Sequence, residues 1–368
     1  MNTKYLGLLL FIIIIVASCK KNNTQTDVEN KKQKIIAVID SIIENTHVPG
    51  IVAGIWAPDE GIELIYAAGT SDLETNSPMN TDMIFRIGSN TKTMTNTVLL
   101  KLVDDGLISL DDKLSDYLPD FPRADEVTIE MLSNMRSGIH SYSEDTAYQQ
   151  TMENNPGKVW DYDDLISYAT VDNYNFDPGS DFHYSNTNTI LIGKVVEQLT
   201  GKTLKTLIDE IIIEPLGLTS TRYLSEGVEL DGFHPKGYYA GQYDPSHPEY
   251  GEFFDVSWAG PAGGAVSTVR ELKEYVNAMV DGTFLSDELQ QKRLSDLYPS
   301  ARPDIDYGLG IVKYGSYYGH TGSIPGFTSL MFYSLEKNCT MIIWFNCQLF
   351  DITPASSGLP DIIQDIIY

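Results

Sequence analysis

Two kinds of hydrophobic pattern divide the chain. Between Ile35 and Ile43, isoleucine and valine return every three or four residues, which predicts an amphipathic helix that ends before Pro49-Gly50. The apolar runs 50–56 and 62–68 flank the turn sequence Pro58-Asp59-Glu60-Gly61, so they predict a β-hairpin. Near the other end, three runs rich in β-branched and aromatic residues predict strands at 307–313, 327–333 and 340–345.

The middle of the chain carries mostly helical patterns, separated by loops rich in Asp, Asn, Gly and Pro. The simplest architecture is one sheet assembled from both ends of the chain with a helical insertion between them, which is an α/β (α+β) fold. We therefore predict a sheet domain from residues 34–80 and 255–368, and a helical domain from residues 81–254.

The first residues are typical of an export signal. Lys4 precedes an apolar run at 6–17, which is shorter than the ~20 residues needed to span a bilayer. The run ends in Val16-Ala17-Ser18-Cys19, which resembles the site where bacterial lipoprotein signal peptidase cuts before an acylated cysteine. We predict a signal peptide at 1–18, a lipid anchor on Cys19 that holds the protein to a membrane, and a flexible polar tether at 19–33. The chain would be an exported lipoprotein of the bacterial cell envelope, on the periplasmic or surface side; the alternative is an ordinary secretory signal cut nearby.

Composition narrows the classes of function. The 368 residues include 51 Asp and Glu against 25 Lys and Arg, a formal charge of −26, and no Lys/Arg-rich patch, so we expect no nucleic-acid partner. Cys339 and Cys347 are predicted to be free thiols on one strand, about 26 Å apart at ~3.3 Å per residue. The six histidines lack metal-ligand spacing, and neither HExxH nor the GxSxG nucleophile elbow occurs. We expect no metal and no organic cofactor.

One serine-lysine pair is placed for chemistry. The pattern SxxK occurs three times, but Ser18 lies in the signal peptide and Ser334 lies in a polar turn between two strands. Ser89 instead opens an apolar helix that ends at Gly106. Residues i and i+3 share one helix face, with Cβ atoms about 5–6 Å apart, so a desolvated Lys92 with a lowered pKa can take the proton of Ser89. The alternative is an N-capping serine with a surface lysine one turn later.

Two later segments add groups for proton transfer and substrate binding. Tyr184 and Asn186 stand in a loop before a helix predicted at 190–199, where a phenol can move protons and an amide can hold a substrate carbonyl. His320 follows the predicted strand 307–313 and precedes another strand. Taken singly, Tyr184 also fits a packing aromatic residue and His320 a histidine at a strand end.

In order along the chain, SxxK at Ser89, YxN at Tyr184 and HTG at His320 resemble the three motifs of the serine penicillin-recognising enzymes, which include class C β-lactamases and D-alanyl-D-alanine carboxypeptidases. Further stretches, among them Pro215-Leu216-Gly217-Leu218 and Tyr307-Gly308-Leu309-Gly310, are similar to family segments, and the resemblance covers residues 34–350. It implies a β-lactamase/transpeptidase-like fold, in which an antiparallel sheet flanked by helices lies beside an all-helical domain, with the active site in the groove between them.

The resemblance also implies roles for individual residues. Ser89 would attack an amide carbonyl and form an acyl-enzyme, with Lys92 and Tyr184 sharing the proton transfers. Asn186 would hold the substrate amide, and Trp258 is similar to an aromatic wall residue of the carboxypeptidases. The oxyanion would lie between the backbone N–H groups of Ser89 and Ser323. The opposite wall, where the substrate carboxylate lies, would be formed by His320, Thr321, Gly322 and Ser323.

The third motif separates the subgroups of the family. Class C β-lactamases carry Lys-Thr-Gly, whereas His320-Thr321-Gly322 resembles certain D-alanyl-D-alanine carboxypeptidases and several esterase or amidase relatives. Those carboxypeptidases place an arginine after YGLG to bind a terminal carboxylate; here Lys313 is displaced by one step, and one step on a strand faces the opposite side.

We predict a serine hydrolase similar to the D-alanyl-D-alanine carboxypeptidases, acting on peptidoglycan peptides. Its substrate would be a small molecule or peptide: a D-Ala-D-Ala peptide, a β-lactam or an ester. The alternatives are a class C-like β-lactamase, an esterase or amidase of the same family, and, from another class, a non-hydrolytic penicillin-binding or sensor domain.

Overall fold

The structure of the protein is a computed structural model, and it describes residues 25–169, 174–239, 250–300, 302–348 and 358–368. The helices of the described residues are α1 (25–45), α2 (Thr91–Asp104), α3 (Ile129–Ser133), α4 (Thr146–Asn154), α5 (Tyr162–Ser167), α6 (Asn186–Thr200), α7 (Leu204–Ile208), α8 (Glu214–Leu216), α9 (Gly260–Gly263), α10 (Val269–Asp281), α11 (Asp287–Ser295) and α12 (Leu359–Ile367). None of the helices in these ranges is long and apolar enough to cross a membrane.

The strands are short at the edges and long in the middle of the main sheet. They are β1 (Gly50–Ala57), β2 (Ile62–Asp72), β3 (Ser77–Pro78), β4 (Phe85–Arg86), β5 (Arg222–Tyr223), β6 (Tyr238–Tyr239), β7 (Ala265–Ser267), β8 (Tyr298–Pro299), β9 (Ile305–Tyr307), β10 (Val312–Tyr314), β11 (Tyr317–Ile324), β12 (Phe327–Ser334), β13 (Cys339–Phe345) and β14 (Cys347–Gln348).

Nine of these strands form one antiparallel sheet in the order β3-β2-β1-β13-β12-β11-β10-β9-β8. β1 to β3 come from one end of the chain and β8 to β13 from the other, and they meet where Ile51 pairs with Phe345. The hairpin of β1 and β2 around Pro58–Glu60 is present as predicted. The predicted fold class is confirmed, whereas the domain boundaries at residues 80 and 254 stay predictions.

Both faces of the sheet are covered. In β1, Ile51 and Ile55 belong to the hydrophobic cluster that includes α1 and α12, while Val52 and Trp56 belong to the larger cluster on the other side. Successive strand residues point to opposite faces, so β1, β12 and β13 are buried at every position. Helix α2 passes through the larger cluster and is buried at every residue from Thr91 to Leu100.

The predicted tether is partly wrong, because α1 begins at residue 25 rather than near Lys34. Val28 packs against the cluster that α1 shares with α12. The Lys31 ammonium donates to the Ile367 carbonyl at 2.8 Å and to the Glu60 carboxylate at 3.1 Å. Residues 25–33 have no apolar period of their own, and these contacts with distant residues hold the start of α1 against the rest of the protein. The signal peptide and Cys19 lie outside the described residues.

Two predictions near the third motif also need correction. The single strand predicted at 307–313 is two strands, since β9 ends at Tyr307 and β10 begins at Val312. Gly310, at φ +63°, turns the backbone between them and lies so close to α2 that a Cβ there would meet the Asn96 side chain at 2.2 Å. His320 does not precede a strand; it lies within β11.

The cysteine prediction changes in one detail. Both thiols are free and buried, but Cys339 begins β13 whereas Cys347 begins the separate strand β14. The chain leaves the main sheet after Phe345, and β14 pairs with β6 instead.

Candidate active site

Ser89 lies in a single 3₁₀ turn, Gly88–Asn90, that leads directly into α2. The Asn90 side chain fixes this turn, because its amide donates to the Ile87 carbonyl at 3.0 Å and to the Ser329 hydroxyl of β12 at 2.8 Å. The turn is therefore attached to the sheet on one side and to the buried helix on the other. Ser89 itself is half-buried, with its hydroxyl at the N-terminal end of a helix, where backbone N–H groups favour negative charge.

Lys92 lies one helical turn further and its side chain is fully buried. Its Nζ lies 3.0 Å from Ser89 Oγ and donates to the Ala262 carbonyl at 2.8 Å. Burial lowers the pKa of Lys92 well below its usual value, since the charged form loses its hydration. The neutral amine has a lone pair that can accept the Ser89 proton, while one of its N–H groups stays bonded to Ala262.

Tyr184 lies on the other side of the same pair, just before α6. Lys92 Nζ is 4.9 Å from the centre of the Tyr184 ring, and the phenol oxygen shares a hydrogen bond with Ser89. Burial raises the pKa of Tyr184, and the hydrogen bond from Ser89 opposes that shift without cancelling it. The phenol consequently keeps its proton near neutral pH, so Lys92 is the better base and Tyr184 is placed to relay a proton.

Strand β11 runs directly against the turn that carries Ser89. A Cβ on Gly322 would lie 2.0 Å from the Ile87 carbonyl, and a Cβ on Gly88 would lie 2.9 Å from the Ser323 nitrogen. Only glycines at both positions let the two backbones touch. The contact brings the backbones of Ser89 and Ser323 together, as an oxyanion site between their N–H groups requires.

His320 is almost fully buried in β11, with 2% of its surface exposed. Its Nδ1 donates to the Thr321 carbonyl, which can only accept, so this nitrogen carries the proton. Its Nε2 is then free to accept from the Tyr307 hydroxyl at 3.2 Å. Burial, with a further contribution from Lys92, lowers the pKa of His320 to about 3. The imidazole is therefore neutral and gives this wall hydrogen bonds but no positive charge.

These groups open onto a cavity of about 390 Å³. Its lining residues are Ser89, Phe182, Tyr184, Asn186, Ser300, Arg302, Ile305, Tyr307, Val312, His320, Thr321 and Ser323. Six of the ten sequence-predicted site residues are in this lining: Ser89, Tyr184, Asn186, His320, Thr321 and Ser323. Lys92 lies beneath Ser89, and Gly322 provides the backbone contact. Cys19, the predicted lipidation site, is not described.

Two predicted substrate-binding residues have other contacts. The Asn186 amide lines the cavity and donates to the Ser143 hydroxyl at 2.8 Å. Trp258 is outside the described lining: its ring is partly buried between two hydrophobic clusters, and its carbonyl accepts from the Tyr142 hydroxyl at 2.6 Å. A single short motif around Trp258 could not distinguish a packed ring from a wall of the cavity.

The sequence did not single out half of the cavity's lining: Phe182, Ser300, Arg302, Ile305, Tyr307 and Val312. Two of these positions had a signal, since Phe182 stands two residues before Tyr184 and Tyr307 opens a family-like segment. The hairpin of β8 and β9, in which Tyr298 pairs with Tyr307, brings Ser300 and Arg302 to the cavity. No sequence motif marked this hairpin. Within the described ranges, no group of three His, Cys, Asp or Glu side chains is placed to hold a metal ion.

Comparison with known proteins agrees with this geometry. The beta-lactamase family model matches residues 35–351, so the chain belongs to the beta-lactamase family. It is a serine hydrolase of that family, similar to penicillin-binding proteins and amidohydrolases. Penicillin-binding protein 4* of Bacillus subtilis (strain 168) is 23% identical over 86% of this chain and 72% of its own length. Protein flp of Staphylococcus aureus (strain NCTC 8325 / PS 47) is 25% identical over 86% of this chain, which spans 63% of that protein.

Solved structures of an amidohydrolase and an amidase have the same fold. A D-stereospecific amidohydrolase from Streptomyces sp. superposes with a TM-score of 0.79 and 26% identity, covering 92% of this chain and 98% of that one. A D-amino acid amidase from Ochrobactrum anthropi SV3, complexed with L-phenylalanine amide, gives a TM-score of 0.79 and 26% identity, covering 93% and 97%.

Proposed function

We propose that the protein cleaves an amide bond beside a D-amino acid residue through an acyl-enzyme on Ser89, in the manner of a D-alanyl-D-alanine carboxypeptidase acting on cell-wall peptides. The observation that carries this proposal is the 3.0 Å contact between Ser89 Oγ and the buried Lys92 Nζ, at the floor of a 390 Å³ cavity. A serine is a poor nucleophile until a nearby base takes its proton, and a desolvated lysine is such a base.

The reaction proceeds in two halves. Ser89 Oγ attacks the substrate carbonyl carbon while its proton passes to neutral Lys92, and the oxyanion is held by backbone N–H groups of Ser89 and Ser323. The C–N bond breaks as the departing nitrogen receives a proton, which Lys92 supplies through the Tyr184 hydroxyl. Water then attacks the carbonyl carbon of the Ser89 ester and gives a proton to Lys92. The bond between that carbon and Ser89 Oγ breaks, Oγ takes the proton from Lys92, and the free acid leaves.

Similarity to known proteins supports the choice of substrate. One relative is named as a penicillin-binding protein, and two similar structures are of enzymes that act with D-stereospecificity or on D-amino acid amides. A peptide ending in D-alanyl-D-alanine offers such an amide beside a D-residue.

A second candidate is hydrolysis of simple D-amino acid amides. Neutral His320 favours it, because a wall without positive charge does not favour a carboxylate over an uncharged carboxamide. The two candidates share Ser89, Lys92 and Tyr184. They differ in whether the part of the substrate that leaves carries a negative charge.

The deciding experiment follows the intact mass of residues 20–368 mixed with a penicillin, while the drug is followed in parallel. We expect a lasting adduct, equal to the mass of the drug, that the Ser89→Ala variant does not form. Rapid loss of drug without an adduct would make the protein a β-lactamase. Neither adduct nor drug loss, with turnover of D-phenylalanine amide, would favour the amidase candidate.

Attachment to a membrane is a separate proposal. Because the sequence Val16-Ala17-Ser18-Cys19 resembles a lipoprotein cleavage site, we infer that Cys19 is acylated and holds the hydrolase in the cell envelope. Expression of the full chain in a bacterium should place it in the detergent phase on phase separation, and Cys19→Ala should move it to the aqueous phase. Unchanged partitioning of Cys19→Ala would contradict the anchor.

A further inference from the structure

The cavity has an outer wall that the chemistry at Ser89 does not use. We define it as Phe182, Ser300, Arg302, Ile305 and Val312, all of which line the cavity. Three of the five are apolar: Val312 is buried, and Phe182 and Ile305 are partly buried against the neighbouring hydrophobic cluster. An apolar surface beside a reactive centre binds an apolar part of the substrate.

Strand geometry separates the side chains that face the cavity from those that face away. Val312 lines the cavity, so the next residue, Lys313, points to the other face, where its ammonium lies 5.9 Å from the centre of the Tyr318 ring. Ile305 and Tyr307 of β9 also line the cavity. Asp306 lies between them and pairs in register with Lys313 of β10, so its side chain is on the face that points away from the cavity. The alternation keeps both an acid and a lysine out of the cavity.

The charge of the cavity is opposite to that of the chain. The chain has 51 acidic residues against 25 basic ones, yet no Asp or Glu belongs to the described lining of the cavity. Arg302 is the one cationic side chain in that lining. An uncompensated arginine at the mouth of a cavity attracts anions in preference to neutral or cationic ligands.

Backbone hydrogen bonds fix the position of Arg302, while its side chain remains available to bind a ligand. Its N–H donates to the Ser300 hydroxyl at 3.1 Å, and its carbonyl accepts from the Ile305 N–H at 3.2 Å, which fixes the turn between β8 and β9. The residue is exposed, and among the described residues no carboxylate forms an ion pair with it, including nearby Asp304 and Asp306. Its guanidinium can therefore bind a carboxylate in two parallel hydrogen bonds.

We propose that the outer wall selects peptides whose leaving residue is a large apolar D-amino acid with a free carboxylate. The carboxylate binds Arg302, and the apolar side chain packs against Phe182, Ile305 and Val312. This inference rests on the acyl-enzyme function proposed above and adds a substrate preference to it. Neutral His320 cannot select for a carboxylate by charge, so this preference is assigned to Arg302 in the turn between β8 and β9.

The test compares three substrates: acetyl-D-Ala-D-Phe, the same peptide with a C-terminal amide, and acetyl-D-Ala-D-Ala. For the wild-type protein we expect the highest kcat/KM with acetyl-D-Ala-D-Phe. Arg302→Ala should raise KM for that peptide about tenfold or more, the size of one lost charge-assisted contact, with kcat and the rate on the amide nearly unchanged. Arg302→Lys should recover part of the loss, because it restores the charge without the two parallel bonds.

Two further variants sharpen the test. Lys313→Ala removes a charge from the adjacent strand that faces away from the cavity, so it should leave all three rates unchanged. Phe182→Ala should abolish the preference for acetyl-D-Ala-D-Phe over acetyl-D-Ala-D-Ala. Equal effects of Arg302→Ala on the acid and the amide, or no effect on either, would overturn the assignment.

Failure of the proposed function is distinguishable from failure of this inference. Binding of acetyl-D-Ala-D-Phe to the Ser89→Ala variant, measured by calorimetry with and without Arg302→Ala, needs no turnover. Arg302-dependent binding without Ser89-dependent hydrolysis in the wild type would keep the outer wall and reject the function. Ser89-dependent hydrolysis without any role of Arg302 would keep the function and reject the outer wall.

Discussion

Lys92 is held away from water, and among the described residues burial is the one cause that shifts its pKa. Two contacts orient it, one with Ser89 Oγ and one with the Ala262 carbonyl. The carbonyl takes one N–H and thereby directs the rest of the amine toward the serine. Helical spacing predicted that the two side chains could meet, and the order of the three motifs favoured the pair over an N-cap, but the contacts that bury Lys92, with Ala262 in α9 and with the Tyr184 ring, come from residues distant in the sequence.

Replacing Lys92 by alanine should lower the rate of acylation by about 10²–10⁴-fold, because it removes the base that takes the Ser89 proton. Lys92→Arg should lose as much, since a guanidinium stays protonated and cannot accept. Stopped-flow measurement of adduct formation with a penicillin gives the rate, and circular dichroism checks that both variants are folded. Wild-type acylation by either folded variant would show that Lys92 is not the base.

The pH dependence of acylation provides an independent check on the same residue. Burial lowers the pKa of Lys92, so the active, neutral amine is present at a lower pH than for an exposed lysine, whose pKa is ~10.4. The rate should therefore rise with pH through a single ionisation that lies well below that value. An ionisation at the pKa of an ordinary exposed lysine would contradict the role of burial.

At the scale of elements, the site depends on a close contact between β11 and the 3₁₀ turn before α2. Gly88 and Gly322 make that contact, and the sequence offered Gly322 only as part of a motif. The pattern of apolar runs beside turn residues predicted the hairpin of β1 and β2, because its strands are adjacent along the chain. It failed at 307–313, where Gly308 and Gly310 break one apolar run into two strands, and it could not place His320 inside β11.

Gly322→Ala should reduce turnover at least tenfold and lower the melting temperature, since its Cβ would lie 2.0 Å from the Ile87 carbonyl and force the strand away from Ser89. Gly157→Ala is the matched control, because a Cβ there meets nothing within 4 Å. Turnover rates and melting temperatures of the two variants, measured side by side, test whether this contact positions Ser89. Full activity of Gly322→Ala would mean that the contact does not position the nucleophile.

Helix α1 gives a second prediction at this scale. A chain that starts at residue 34 loses the packing of Val28 and the contacts of Lys31 with Glu60 and Ile367, which a chain that starts at residue 25 keeps. We expect the shorter chain to unfold roughly 2–4 °C lower, as a loss of about 1 kcal/mol would produce. Calorimetry of both chains measures the difference, and identical melting temperatures would favour the tether predicted from the sequence.

At the scale of the whole molecule, the cavity exists because both ends of the chain meet in one sheet. Ser89 comes from the first quarter of the chain and Tyr184 from its middle, whereas His320 and Arg302 come from the last quarter. Motif order predicted three of these four residues. Arg302 carries no motif and reaches the cavity only through the pairing of β8 with β9, so pattern analysis had no means of finding it.

Protonation of His320 should lower the stability of the whole protein in acid. Its pKa is about 3 when folded and ~6.5 in an unfolded chain, so between these values the unfolded state binds a proton that the folded state does not. Its contribution to the unfolding free energy is complete above pH ~6.5 and declines as the pH falls toward 3. Urea unfolding of the wild type and of His320→Gln at pH 7 and pH 4 should show a larger drop for the wild type, because effects of carboxylates cancel in the comparison. Equal drops would contradict a buried neutral imidazole.

The pairing of Ile51 with Phe345 also sets when the molecule can mature. A ribosome completes β1 almost 300 residues before it completes β13, and until then the edge of β1 that pairs with β13 lacks its native partner. Local helices can form during synthesis, but the central sheet must wait for the last strands, and such distant contacts make folding slow. The central sheet therefore closes only near the end of synthesis, and the strand that lies against Ser89, β11, is among the last parts of the molecule to be made.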